Sequence, residues 1–287
     1  MKKTQSVEEE KLMKNAKLIL ATGNGYPVST EEQIPLIKKA GFDGVFTGWS
    51  DNAPIAEWAK IVADNGMIYQ SLHAPFNRAN LMWEPGEAGE AVTDELCRCL
   101  DACAENGIPI TVAHAFIGFD THNPNEWGVK RFGRAAEYAK NIGVKLALEN
   151  TEGEEYLELL MEALSDNPAV GFCIDTGHEM CYNHSRDLIS KYGDRLIATH
   201  LNDNMGITDE NNITWLDDAH LLPFDGIGDW QGIADRLWAV GYRGELTFEL
   251  TSQNKPQRNT HDRYADWSFE EFLAQAYDRA CRLRNLF

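Results

Sequence analysis

A short apolar run followed by a helix recurs eight times along this chain, five of the helices closed by a glycine, and that alternation limits its fold more than any other feature. The apolar runs are Lys17–Ala21, Asp43–Trp49, Met67–Leu72, Pro109–Ala113, Lys145–Leu148, Val170–Ile174, Leu196–Thr199 and Gly244–Phe248. They lack polar alternation, so both faces of each strand are expected to be buried, as in a parallel sheet covered by helices. Helices are predicted over residues 31–40, 53–65, 88–106, 126–141, 155–164, 186–192, 230–240 and 268–286, with Thr30 capping the first. Gly41, Gly66, Gly107, Gly143 and Gly241 stand where a left-handed residue ends a helix. The pattern predicts an α/β fold of one domain, a (β/α)8 barrel over residues 17–287. An open doubly wound sheet would give a similar string. The count of eight and the polar residues at the strand ends favour the barrel. Residues 1–16 read as a polar N-terminal extension, because the two lysines near its start precede no apolar segment.

Composition narrows the class of function. The 45 acidic and 26 basic residues leave a formal charge of -19. Such a field repels polyphosphate, and no cluster of Lys and Arg interleaved with aromatics offsets it, so no nucleic-acid partner is expected. No apolar run is long enough to span a bilayer, so no membrane partner is expected either. Cys97, Cys99, Cys103, Cys173, Cys181 and Cys281 form no CxxC pair, and this usage fits a reduced, cytoplasmic protein.

Strands three to eight end at His73, His114, Glu149, Asp175, His200 and Glu249. In a barrel these residues converge on one mouth. Taken alone, Asp175 could simply cap the next helix. Glu149, Asp175, His200 and Glu249 facing one centre would repel strongly without a cation. A set of three carboxylates and one imidazole suits one divalent ion, Mn2+, Mg2+ or Co2+, with Zn2+ a further candidate. Gly226 and Gly228, in FDGIGDW, could expose amides to a phosphate, but a tight turn is the favoured reading. His122, His184 and His261 are expected at the surface.

The segments AGFDGVF (40–46), LHAPF (72–76), LALENTEG (146–153), CIDTGHEM (173–180), THLNDN (199–204), FDGIGDW (224–230) and LTFEL (246–250) resemble the xylose isomerase-like TIM-barrel superfamily. This group contains sugar isomerases and epimerases, and its other branch holds the endonuclease IV-type apurinic endonucleases. The resemblance implies a divalent metal held by Glu149, Asp175, His200 and Glu249. It implies proton transfer by Glu149 and Glu249 next to a metal-bound carbonyl of a small carbohydrate. His73, His114, Asn150 and His178 would contact substrate, and Trp49 would wall the pocket. It further implies a homo-oligomer. Many members carry a glutamate directly after GFDGV, where this chain has Phe46 and Thr47, so the pocket floor differs.

Two alternatives arise from the same resemblance. Endonuclease IV-type enzymes use additional histidines and an Asp-x-His pair to hold a zinc cluster. His178, Asp218 and His220 match as further ligands here. A keto-inositol dehydratase-like lyase would share the metal set.

Overall fold

The eight predicted runs form eight parallel strands, β1 (Leu18–Ala21), β2 (Gly44–Gly48), β3 (Ile68–His73), β4 (Ile110–His114), β5 (Lys145–Glu149), β6 (Val170–Asp175), β7 (Leu196–His200) and β8 (Leu246–Phe248). These come from a computed structural model that describes residues 13–120, 122–184 and 186–287. Strand order is β7-β6-β5-β4-β3-β2-β1-β8, each strand beside its sequence neighbour, with β1 also pairing β8. The remaining seam is nearly closed. Leu201 bridges Phe248 in parallel, and its N–H donates to the Thr247 carbonyl at 2.7 Å. The Thr247 N–H donates to Thr199 Oγ1 at 3.0 Å, so a side chain supplies part of the seam. The chain is a single-domain (β/α)8 barrel.

Nine helices accompany the strands among the described residues. They are α1 (Thr30–Ala40), α2 (Ile55–Asp64), α3 (Glu87–Glu105), α4 (Glu126–Ile142), α5 (Glu154–Ala163), α6 (Thr176–Cys181), α7 (Leu188–Tyr192), α8 (Trp230–Ala239) and α9 (Phe269–Arg284). The first cap is Ser29, one residue before the expected Thr30. Ser29 and Glu32 form a reciprocal capping box, whose glutamate satisfies the Ser29 amide as well. Helix α6 is absent from the sequence expectation. It is under two turns long, too short for an amphipathic period, and its start is set by the Asp175 cap.

The core between strands and helices includes Leu18, Leu20, Phe42, Val45, Leu146, Phe172 and Phe272, each fully buried. Smaller side chains, Ile110, Val112, Ala147, Cys173 and Ala198, pack together as a separate cluster. Small residues on adjacent strands suit the narrow interior of an eight-stranded barrel. Residues 1–12 of the expected extension lie outside the described residues. Its last part is not a free tail, since Met13 is 1% exposed and joins the core. Among the described residues no helix is long and apolar enough to cross a membrane.

Candidate active site at the barrel mouth

Parallel register brings the polar strand ends side by side. His114 pairs with Glu149 across β4 and β5, and Asp175 pairs with His200 across β6 and β7. Glu249 follows the end of β8, anchored by its N–H to the Leu201 carbonyl. Ligand atoms of Glu149, Asp175, His200 and Glu249 all lie within 4.8 Å of one another. The convergence expected from the sequence is therefore present.

The side chains around this set are held from behind. Asp175 acts both as helix cap and as a member of the set, so its two readings coexist. Its Oδ1 accepts the His178 N–H at 2.7 Å, and its Oδ2 accepts Asn202 Nδ2 at 2.8 Å. Gly177 makes room for that asparagine, because a Cβ there would come within 2.0 Å of Asn202 Oδ1. Asn150 is expected on the pocket wall, but the structure corrects this. Asn150 is fully buried, its Oδ1 accepts the Asp175 N–H at 2.7 Å, and its Nδ2 donates to the Asp175 carbonyl and Asn183 Oδ1. Its amide is committed to positioning Asp175.

Glu149 is wholly buried and faces two directions. Its Oε1 lies 2.8 Å from His200 Nδ1, and its Oε2 lies 3.1 Å from His73 Nε2 and 3.3 Å from His114 Nε2. Glu249 Oε2 is 3.1 Å from the same His200 nitrogen, and its side chain is 29% exposed. A second group forms above β6, where ligand atoms of Asp175, His178 and His220 also lie within 4.8 Å of one another. Asp218 stands between the two histidines, 3.6 Å from His178 Nε2 and 3.0 Å from His220 Nε2. The long loop carrying Asp218 and His220 is fixed by paired backbone bonds between Asp203 and Leu221 at 2.8 Å each. His220 itself has a left-handed backbone, φ 52.

Three imidazoles share one orientation. His73, His178 and His220 each direct Nδ1 to a backbone carbonyl, those of Ala74, Asn150 and Glu249, at 2.8, 2.8 and 3.2 Å. A carbonyl only accepts, so Nδ1 carries the hydrogen and the neutral ring turns its Nε2 lone pair toward a carboxylate. Two acceptors at this range need a proton or a cation between them. The Asp218 Oδ1 atom is buried without a hydrogen-bond donor. Backbone-tethered imidazoles beside carboxylates are the donor set of a divalent metal site, and the residues fit that group.

Electrostatics follow from this crowding. Burial opposes ionisation of Glu149, but His200, His114 and His73 overcome it and hold its carboxyl well below the usual range. Burial likewise opposes ionisation of Glu249, yet His200 and His220 bring it down to about 2. Burial lifts Asp175 to about 6 against the pull of His178 and His220. Burial opposes charge on His220, but Asp218 dominates and raises it to about 9.

The mouth opens as two joined lobes. One, of about 620 Å³, is lined by Trp49, Phe76, Thr22 and Thr251 among others. The other, of about 360 Å³, is lined by His114, His178, Tyr182 and Trp215. Both reach His73, Glu249 and His220. Trp49, half-buried, is thus on the cleft wall. Two neighbours, Asn202 and Lys255, drew no attention in the sequence, whereas Phe46 stood out there as the altered pocket floor. Phe46 stacks on His200 with ring centroids 4.7 Å apart, Asn202 holds Asp175, and Lys255 lies 3.6 Å from Asp218. The Asn202 signal was its place directly after His200 and Leu201; Lys255 gave none. The FDGIGDW glycines form a turn around Asp203, whose Oδ1 accepts the Gly228 N–H at 2.9 Å, and a Cβ at Gly226 would meet the Asn204 carbonyl at 2.2 Å. The Gly228 amide serves the turn, and Gly226 leaves room for it. His184 is exposed and His122 partly so, but His261 is 1% exposed, contrary to expectation, packed edge-on to the Tyr264 ring and against the Ala219 backbone.

Comparison with known proteins agrees with the barrel fold. Over 303 aligned residues the chain is 29% identical to the uncharacterized protein y4fM of Sinorhizobium fredii, covering 89% of this chain and 93% of that one. Similar solved structures include a xylose isomerase-like TIM barrel/4-hydroxyphenylpyruvate dioxygenase fusion protein, with a TM-score of 0.68 and 21% identity. The match covers 88% of this chain but only 41% of the fusion protein. D-psicose 3-epimerase from Clostridium cellulolyticum H10, solved with D-tagatose, has a TM-score of 0.67 and 17% identity, covering 93% and 99% of the two chains. The 3-keto-D-glucoside 4-epimerase of E. coli has a TM-score of 0.65 and 18% identity, covering 94% and 99%. At these identities the structures establish the shared fold. The family described as xylose isomerase-like TIM barrel matches residues 34–270, and the chain belongs to that family.

Proposed function

We propose that this protein is a metal-dependent isomerase or epimerase of a small carbohydrate. The observation carrying this reading is the mutual approach of Glu149, Asp175, His200 and Glu249 within 4.8 Å at one end of the barrel. The epimerase neighbours support the same class. A divalent ion held by these four residues would polarise a substrate carbonyl and acidify the adjacent C–H. The two glutamates are unequal in this scheme. Glu249 reaches both lobes and its side chain is 29% exposed, whereas Glu149 is wholly buried, so Glu249 is the group to take the carbon-bound proton. Glu149, enclosed by His73, His114 and His200, is the second proton-moving group and the centre of the ligand set. His178, tethered through Nδ1 to the Asn150 carbonyl, orients a substrate hydroxyl with Nε2.

The test is proton exchange. The protein loaded with Mn2+ or Co2+ is incubated in D2O with a panel of ketoses, and deuterium at carbon is followed by NMR. Exchange should occur on at least one sugar and vanish in Glu249→Gln, which retains metal. Exchange that persists in Glu249→Gln would refute the assignment.

A second reading is favoured by one observation. Asp175, His178 and His220 form another group within 4.8 Å, joined by Asp218. Filled with zinc, such a cluster would suit phosphoester hydrolysis. The charge of -19 weighs against a nucleic-acid substrate. Metal analysis near three zincs per chain together with phosphodiester cleavage, and no sugar exchange, would replace the isomerase reading.

A further inference from the structure

We propose that the larger lobe of the mouth is a subsite for a second, uncharged sugar ring, so that the substrate is a disaccharide-like glycoside. This rests on the carbohydrate reading of the metal set and deepens it. The two lobes meet at His73, Phe76, His220, Glu249 and Lys255. Glu249 is common to both lobes, so a hexose ring seated over it in the lobe of about 360 Å³ would leave the lobe of about 620 Å³ beside it for a second ring.

That lobe has the chemistry of a sugar platform. Phe76 is 41% exposed and lines both lobes. It is not loose. It stacks on His114 with centroids 4.5 Å apart and meets the His73 ring edge-on at 5.6 Å. Its outer face therefore forms a fixed ledge between the lobes. Trp49, half-buried, offers a second aromatic surface in the same lobe. Around them stand Thr22, Ser50, Asn77 and Thr251, short polar side chains able to bond hydroxyls without a net charge. Away from the border with the metal set, the only charged group among the described lining residues is Glu95. An aromatic ledge with neutral polar groups matches the alternating C–H and O–H surface of a pyranose. Lys255, at the border, is the one Lys or Arg among the described lining residues, and it already stands 3.6 Å from Asp218, which disfavours a phosphate.

The wall is also built in advance. Asn24, fully buried, donates Nδ2 to the carbonyls of Ala21 and Leu250 at 3.0 and 3.2 Å. The Ser252 N–H donates to the Asn24 carbonyl at 3.0 Å, and Gln253 Nε2 donates to the Gly25 carbonyl at 2.7 Å. These bonds sew the end of β1 to the segment after β8, which carry Thr22 and Thr251. A wall held rigid before binding reduces the ordering cost that a ligand must overcome.

The experiment compares matched pairs on the full chain loaded with Mn2+: fructose with isomaltulose and with lactulose, and glucose with cellobiose and with maltose. Dissociation constants come from calorimetry and contacts from saturation-transfer NMR. At least one disaccharide should bind on the order of tenfold more tightly than its monosaccharide, the size of one aromatic stacking contact. Trp49→Ala should reduce that preference, and Trp49→Phe should keep it, which separates loss of the ring surface from loss of the fold. Thr22→Val supplies a second check that spares the core. The proposal is overturned if no pair favours the disaccharide, or if a preference survives both Trp49→Ala and Thr22→Val. Deuterium exchange on the same sugars is read separately. A Trp49-dependent preference without exchange keeps the subsite and removes the isomerase reading, and exchange without preference does the reverse.

Discussion

Replacing Arg236 with methionine should destabilise the protein by about 2–3 kcal/mol, and the reason lies beneath the site. Arg236 on α8 reaches α6 and grips one carboxylate with both ends of its fork. Its Nη1 donates to Glu179 Oε1 at 2.9 Å and its Nη2 to Oε2 at 2.8 Å. The Glu179 side chain is 5% exposed, and the Leu188 N–H, at 3.1 Å, is its remaining donor among the described hydrogen bonds. Methionine keeps most of the volume but strands this carboxylate. Breaking a fully buried pair costs about 3–5 kcal/mol. Arg236 is 25% exposed. Solvent screening at that exposure reduces the cost to the stated range. At roughly 2–4 °C per kcal/mol for a chain somewhat below this size, the melting temperature should fall by about 5–10 °C. Urea unfolding followed by circular dichroism measures the free energy directly. Arg236→Met/Glu179→Gln should recover more than half of the loss, since no stranded charge remains. Helix α6 also carries His178, so divalent-metal affinity should drop in the single variant and return in the double. The half-exposed Arg98–Asp51 pair is the control, and Arg98→Met should cost under about 0.5 kcal/mol. A similarly small loss for Arg236→Met, or a double variant whose loss equals the sum of the singles, would refute the reasoning.

Other outcomes follow from the same structure. Asn150→Ala removes the amide that pins both backbone groups of Asp175 and should weaken metal binding by about 10–100-fold, measured by calorimetry. Adding Mn2+ or Zn2+ at about a hundred times its Kd should stabilise the wild type by about 2.7 kcal/mol in thermal unfolding, and the rise should vanish in Asp175→Asn/Glu249→Gln. Thr199→Val leaves the Thr247 N–H at the barrel seam without its acceptor and should cost about 1–3 kcal/mol in urea unfolding, with metal affinity unchanged. Glu249→Gln should slow carbon-proton exchange by about 10²–10⁴-fold while retaining bound metal.

Much of the architecture is legible in the sequence. Buried parallel strands read as unbroken apolar runs, and a barrel must close its short αβ turns with glycine or a cap, so the order of eight units could be read locally. The strand ends were legible for the same reason: a polar residue directly after an apolar run has nowhere to go but the mouth. His73, His114, Glu149, Asp175, His200 and Glu249 were found this way. Asp218 and His220 came from resemblance, because a long loop carries no periodicity that sets its direction.

What remained depended on contacts between distant segments. Asn150 looked like a pocket residue, yet its amide is spent on Asp175, 25 positions away. His261 looked like a surface residue but is 1% exposed, held against the distant Ala219 backbone. Helix α6 has too few residues for a hydrophobic period and exists because Asp175 caps it and Gly177 admits Asn202. The two-lobed cleft is similar. Trp49, Phe76 and Thr251 sit on three different strand ends, and neither local propensity nor spacing says that their faces share one space. Local pattern decided which residues reach the mouth, because strand and helix periods are short-range. Tertiary packing decided which of them are free to meet a ligand, because a hydrogen bond to a distant backbone can occupy a side chain completely.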